Sequence, residues 1–302
     1  MTSAPRVERI EAAGRAAVGE CPVWHAKDRA LYWVDIPARR IVRLRPESGQ
    51  RSEWTLPEQV ACFAFDAAGS IVAGMESGLF AVTLQDAGDV RVTKLAAPRF
   101  DAPGMRFNDG RCDRQGRFWA GTMVQDMAQA STAGALYRFD ANGTLSAPIV
   151  DGLITQNGLA FSPDGAIMYL SDSHPQRRLI WAFDLDTDTG MPHDRRVFAD
   201  LNHHVGRPDG AAVDADGCYW TCANDAGCLL RFTPEGKLDR TVAVPAVKPS
   251  MCAFGGDDLS TLYVTSIRPA SNATDNDGSV FALRPGVQGL PEPGYAGMLP
   301  VA

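Results

Sequence analysis

The 302-residue chain has no stretch approaching the roughly 18 consecutive apolar residues that a membrane-spanning helix needs, which excludes a helical membrane protein. Its first residues, Met1 to Val18, mix Arg, Glu and Ala without an apolar centre and do not read as an export signal. Positive charge is in deficit. The 29 Lys and Arg stand against 36 Asp and Glu, and a net charge of −7 argues against nucleic acid or an anionic membrane as partner. Cysteine is sparse and odd in number, at seven, and mostly inside or beside strand-like runs. Free buried thiols in a reducing, cytoplasmic compartment are therefore expected, rather than a disulfide framework. Long amphipathic helical runs are missing. So are a Gly-x-Ser-x-Gly elbow and a His-x-x-x-His pair, the marks of two large hydrolase classes.

What the chain does have is a repeated phrase, in which an apolar run ends in Asp-x-x-Gly or Asp-Gly and an aromatic-rich run follows. The copies are Phe65-Asp66-Ala67-Ala68-Gly69, Cys112-Asp113-Arg114-Gln115-Gly116, Phe161-Ser162-Pro163-Asp164-Gly165 and Val213-Asp214-Ala215-Asp216-Gly217. Their closing glycines lie 47, 49 and 52 residues apart. Second hairpins echo them at Gly134–Phe139 before Asn142-Gly143, and at Cys228–Thr233 before Glu235-Gly236. Less regular copies follow Trp24–Asp28 and Phe254–Asp258. Two hairpins per period of about 50 residues predict an all-β, six-bladed β-propeller with four antiparallel strands per blade. Ring closure removes free sheet edges, so residues 1–302 are expected to form a single domain, its blades spanning about 15–290.

Several chemical-looking features have simpler readings. Cys218 and Cys222 fall on one face of a strand, too far apart to share a tetrahedral metal, so with Cys228 they read as core. Asp184–Gly190 imitates a calcium loop but has Thr189 where the glycine belongs and Arg195 where the bidentate Glu belongs, so it reads as a hairpin turn. His174, His203 and His204 read as exposed loop histidines, with a role in lining a pocket left open.

A stronger pattern follows from the repeat itself. Asn108, Asn157 and Asp209 each stand eight residues before their closing glycine, and Glu20 stands in Gly19-Glu20-Cys21-Pro22, just ahead of the first copy. Equal offsets in successive blades place side chains at equivalent points around one axis. The matching slot in the second blade is Ala61, so no structural rule demands a polar residue there. Carboxylate and amide oxygens suit one hard divalent ion, Ca²⁺, Mg²⁺ or Mn²⁺, with Zn²⁺ kept in the candidate set.

At this point the chain resembles the SMP-30/gluconolactonase/luciferin-regenerating family of regucalcin-like sugar lactonases. The resemblance runs from Gly19 to about Leu283. It rests on Gly19–Trp24, Val34-Asp35-Ile36-Pro37-Ala38, Arg106-Phe107-Asn108-Asp109-Gly110, Gly116–Met123, Asn157-Gly158-Leu159, Pro208-Asp209-Gly210 and Cys252–Gly256. It implies Glu20, Asn157 and Asp209 as metal ligands, Asp209 also as the acid/base, and Arg106 and Asn108 as substrate contacts. Many relatives carry a Glu shortly after Gly-Thr-Met. Here Asp126 is expected to replace that substrate contact. The implied activity is metal-dependent hydrolysis of a sugar lactone to its aldonic acid, by a monomer or small homo-oligomer. An aryl-ester or organophosphate hydrolase and a non-enzymatic metal-binding regulatory propeller are the alternatives.

Overall fold

The computed structural model describes residues 5–85 and 88–300. Strand is the dominant structure and helix is confined to short 3₁₀ turns among these residues. Blade 1 is β2–β5 (Gly19–His25, Ala30–Asp35, Arg40–Arg45, Gln50–Thr55), and blade 2 is β6–β9 (Val60–Phe65, Ile71–Met75, Leu79–Leu84, Val90–Ala96). Blade 3 is β10–β13 (Met105–Cys112, Phe118–Val124, Gly134–Phe139, Val150–Leu153). Blade 4 is β14–β17 (Gln156–Phe161, Ile167–Asp172, Leu179–Leu185, Pro192–Asp200). Blade 5 is β18–β21 (Arg207–Val213, Tyr219–Asn224, Cys228–Phe232, Leu238–Ala243). Blade 6 is β22–β24 (Pro249–Gly255, Thr261–Ser266, Phe281–Leu283), completed by β1 (Val7–Arg9). Within the blades every strand pairing among the described residues is antiparallel, and the innermost strands β2, β6, β10, β14, β18 and β22 pack in a closed ring around an axial channel. The six-bladed propeller predicted from the period is what forms.

The blade limits need one correction. The sheets begin at Val7, not near residue 15, because β1 pairs with β24 in register Val7↔Leu283 and supplies the outer strand of the last blade. No repeat marks so short a strand in the sequence, which is why the period missed it. Beyond β24 the chain crosses the end of the channel where the inner strands finish. There Gly289 N–H donates to Leu259 O (2.8 Å), Tyr295 N–H to Phe65 O (2.7 Å) and Ala296 N–H to Gly116 O (2.9 Å).

The repeated Asp has a physical reason. Asp113 Oδ1 accepts from the N–H of Gln115 and Arg117, while Oδ2 takes Trp119 Nε1 at 2.9 Å and Arg117 Nε at 2.6 Å. Asp214 repeats the arrangement with Asp216, Cys218, Trp220 and, from β20, Arg231. One carboxylate thus ties the turn to the blade's buried Trp, satisfying donors that would otherwise be stranded in the core. The closing glycines Gly69, Gly116, Gly165 and Gly217 have φ between 76° and 89°, where a Cβ is strained. All seven cysteines are free and buried, as expected, although Cys218 lies in the turn before β19 rather than in the strand with Cys222. Asp184–Gly190 is the predicted hairpin turn, with Asp186 Oδ1 accepting from the N–H of Asp188 and Thr189.

Candidate active site

Every inner strand slips register with its neighbour near its start. The breaks fall at Glu20/Val23, Val60/Cys62, Phe107/Gly110, Asn157/Ala160, Pro208/Ala211 and Pro249/Cys252. A β-bulge leaves a residue out of the ladder and re-aims its side chain. Glu20, Asn108, Asn157 and Asp209 each sit at or inside one of these breaks, so the equal offsets seen in the sequence are one repeated bulge at one end of the channel. Cys21 and Gly158, which follow Glu20 and Asn157, have positive φ (48° and 60°), as the local kink requires. Ala61 occupies the bulge of blade 2. In blade 6 the slot holds Ser250, whose hydroxyl is bonded to Gly19 O and lies 2.9 Å from Thr265 Oγ1.

The predicted ligands are buried or partly buried and electrostatically linked. Burial holds the Glu20 carboxyl well above the usual carboxylate range, and the Asp209 and Asp109 charges push it further, against the pull of Arg106. Burial likewise raises Asp209 to about 7, opposed by Arg207 and by the hydrogen bond from Asn224. Carboxylates this strained toward the neutral form are short of positive charge. Asn157 Nδ2 donates to Ser173 Oγ at 3.0 Å, which fixes the amide and leaves its oxygen as the remaining acceptor. Asp209 Oδ2 takes Asn224 Nδ2 at 2.5 Å, leaving Oδ1. Two carboxylates and an amide oxygen, desolvated at matched positions on β2, β14 and β18, fit a hard divalent cation by donor type and by charge.

Arg106 and Asn108 form a separate unit. Arg106 Nη1 donates to Asn108 Oδ1 (2.8 Å) and to Phe107 O (2.7 Å), and Asn108 Nδ2 donates to Gln156 O (2.7 Å). The Asn108 oxygen is therefore already taken by a cation, which separates it from Asn157 despite the shared offset. Burial lowers Arg106 to about 10, with Glu20 opposing. Asp126 lies beyond these residues, exposed, on the loop between β11 and β12. Its carboxylate caps its own turn, accepting from Ala128 N–H and Gln129 Nε2 at 3.1 Å each.

The sequence did not reveal what supports this unit. Arg207 donates through Nη1 to Ser173 O (3.2 Å) and through Nη2 to Asn224 Oδ1 (3.3 Å), and Nε pairs with Asp225 at 2.6 Å. One guanidinium thus braces the partners of both Asn157 and Asp209. Asp109 is also buried, with Oδ2 accepting from Leu159 N–H (2.8 Å) and Oδ1 unpartnered. The reading of His174 as exposed is wrong: it is buried, Nε2 is 3.1 Å from Met127 O, and Nδ1 accepts from Gln176 N–H. His203 is exposed as expected, while His204 is half-buried with its ring edge-on to Phe232 at 5.4 Å. A second acidic group, Asp184, His193 and Asp194, lies on the outer strands of blade 4. There Arg196 already neutralises Asp184 at 2.8 Å, so it is a surface ion-pair cluster rather than the predicted metal site.

Known proteins share the sequence and fold of this chain along most of its length. The chain is 40% identical over 288 residues to the 6-deoxy-6-sulfogluconolactonase of Pseudomonas putida, covering 93% of this chain and 96% of that one. The fold matches a luciferin-regenerating enzyme with a TM-score of 0.89 at 26% identity, covering 98% of this chain and 100% of the other. It also matches the calcium-binding protein regucalcin of Agrobacterium tumefaciens, with a TM-score of 0.86 at 28% identity and 97% of both chains covered. Residues 18–268 match the SMP-30/Gluconolactonase/LRE-like region, and the chain belongs to that family.

Proposed function

We propose that the protein hydrolyses a sugar lactone to the open aldonic acid, using one divalent metal ion held by Glu20, Asn157 and Asp209. The observation that carries this reading is the desolvated, electrostatically linked pair of Glu20 and Asp209 carboxylates at bulges matched to that of the fixed Asn157 amide, a donor set of the type a hard cation takes. The names of its relatives, a sulfogluconolactonase and a calcium-binding regucalcin, support the substrate class and the metal. When bound, the ion would supply Lewis-acid polarisation of the lactone carbonyl.

The remaining steps belong to the chain's own residues. Asp209, oriented by Asn224, would take a proton from water as its oxygen adds to the carbonyl carbon. The same proton would pass to the ring oxygen as the acyl–oxygen bond breaks, releasing a carboxylic acid and a hydroxyl. Arg106, its plane set by Asn108, would donate to the carbonyl oxygen as negative charge develops there. Asn108 and Asp126 would contact hydroxyls of the substrate.

The test is acid release from a panel of sugar lactones before and after chelation. Treatment with chelator should abolish turnover while the β-type circular dichroism persists, and adding back Ca²⁺, Mg²⁺, Mn²⁺ or Zn²⁺ singly should restore it to different extents. Full activity in thoroughly chelated protein would rule the three-ligand assignment out.

A further inference from the structure

The propeller also has a cavity of about 910 Å³ at the opposite end of the channel, where β2, β6 and β22 finish and the C-terminal segment crosses. None of Glu20, Arg106, Asn108, Asp126, Asn157 or Asp209 lines it. Its walls are aromatic: Trp24, Phe65 and Phe254 face it, with Tyr295 from the crossing segment. A volume of this size, whose rim and walls also carry His25, Lys27, Arg29, Asp66 and Asp257, has the dimensions of a small-molecule site.

Two charged side chains meet in it. Arg111 on β10 reaches the cavity with its side chain only 9% exposed, and its Nη2 donates to Ala211 O at 2.9 Å. Its Nε–H is buried without a hydrogen-bond partner. The nearest carboxylate oxygen, Glu292 Oε1 on the crossing segment, stands 3.5 Å away and outside hydrogen-bonding geometry. A buried donor left unmade is costly, and here it sits beside the partly exposed carboxylate of its ion-pair partner.

This pairing selects a ligand head. An anion would satisfy Arg111 but face Glu292, and a cation would do the reverse. A neutral amide offers a carbonyl to Arg111 Nε–H and an N–H to the Glu292 carboxylate, so the orphaned donor is met without setting a charge against either member of the ion pair. We propose that this distal cavity binds a flat aromatic molecule carrying a neutral amide, its ring among Trp24, Phe65 and Phe254 and its amide bridging Arg111 and Glu292. The site is independent of the lactone reading, because it shares no residue with it.

Three probes with one ring and different heads test the assignment: indole-3-acetamide, indole-3-acetate and tryptamine, titrated by saturation-transfer NMR against the full-length protein. Indole-3-acetamide should bind saturably at one site, and the acid and the amine at least fivefold more weakly. Ala67→Trp, an exposed substitution at the rim, should weaken the amide at least tenfold. Glu292→Ala should bring it down to the level of the other two. Circular dichroism and melting curves of both variants establish that they fold. Absence of saturable amide binding, equal binding of all three probes, or binding unchanged in both folded variants would overturn the proposal.

Discussion

At the scale of single residues, the site divides into groups that hold charge and groups that point at substrate. Asp209 and Arg106 differ in what their loss should do. On the proposed assignment, Arg106→Ala and Asn108→Ala would remove donors and a brace for the substrate rather than a ligand, because the Asn108 oxygen is occupied by Arg106. Both variants should lose about tenfold to a hundredfold in kcat/KM, the size of a charged hydrogen bond, while metal content measured by mass spectrometry stays near one equivalent. Metal loss in Asn108→Ala would move it among the ligands. Asp126 tests recognition more finely. Its carboxylate is exposed and held within its own turn, so besides accepting from substrate hydroxyls it would act through charge, favouring neutral polyhydroxylated lactones over those with an anionic substituent. Asp126→Asn should raise kcat/KM for a 6-sulfonated gluconolactone relative to gluconolactone by about two- to fivefold, of the order of an exposed charge pair. An unchanged ratio would leave Asp126 as a turn cap alone.

At the scale of elements, the bulge explains what was legible and what was not. Asn108, Asn157 and Asp209 could be read from the chain because a repeated backbone feature carries them at a fixed distance from a turn the sequence marks with Asp and Gly, and Glu20 because its Gly-Glu-Cys-Pro segment stands just ahead of the first copy. Ala61 at the same offset was legible for the same reason. Asn224, Ser173 and Arg207 were not, since each reaches its partner across strands and no spacing records that contact. His174 was misjudged because a loop position says nothing about what folds over it; here the carbonyl of Met127 does. β1 was hidden by its length of three residues. Arg207 gives these hidden contacts a test. It ties Ser173 behind Asn157 to Asn224 behind Asp209, so it links β14, β15, β18 and β19 around the proposed ion. Arg207→Met keeps much of the side chain's length and removes the brace. Metal affinity should fall by roughly ten- to a hundredfold, the usual range for outer partners of ligands, with the melting temperature of the metal-free protein changed far less. Unaltered affinity by calorimetric titration would reduce Arg207 to an ion pair with Asp225, a carboxylate it shares with Lys248.

At the scale of the whole molecule, a propeller must close, and this one closes across its two ends. β22, β23 and β24 come from the end of the chain and β1 from its beginning, so blade 6 exists only when both are present. The seam is short: Val7, Glu8 and Arg9 pair with Leu283, Ala282 and Phe281. Val7 also packs on the apolar cluster that holds Leu262, Val264, Phe281 and Leu283. Removing the chain before Ile10 strips that cover and leaves β24 as an unpaired edge, open to pairing with another molecule. The loss of three ladder residues and one half-buried Val should cost about 2–4 kcal/mol, lowering the melting temperature by on the order of 5 °C. The exposed edge should also show as concentration-dependent association in sedimentation velocity, absent from the full chain under the same conditions. The catalytic end should be spared at low temperature, because Glu20, Asn157 and Asp209 stand on innermost strands at the other side of the sheets from the seam. A truncated protein with an unchanged melting curve and no added association would mean that the inner ring alone secures blade 6, and that β1 merely lies along it.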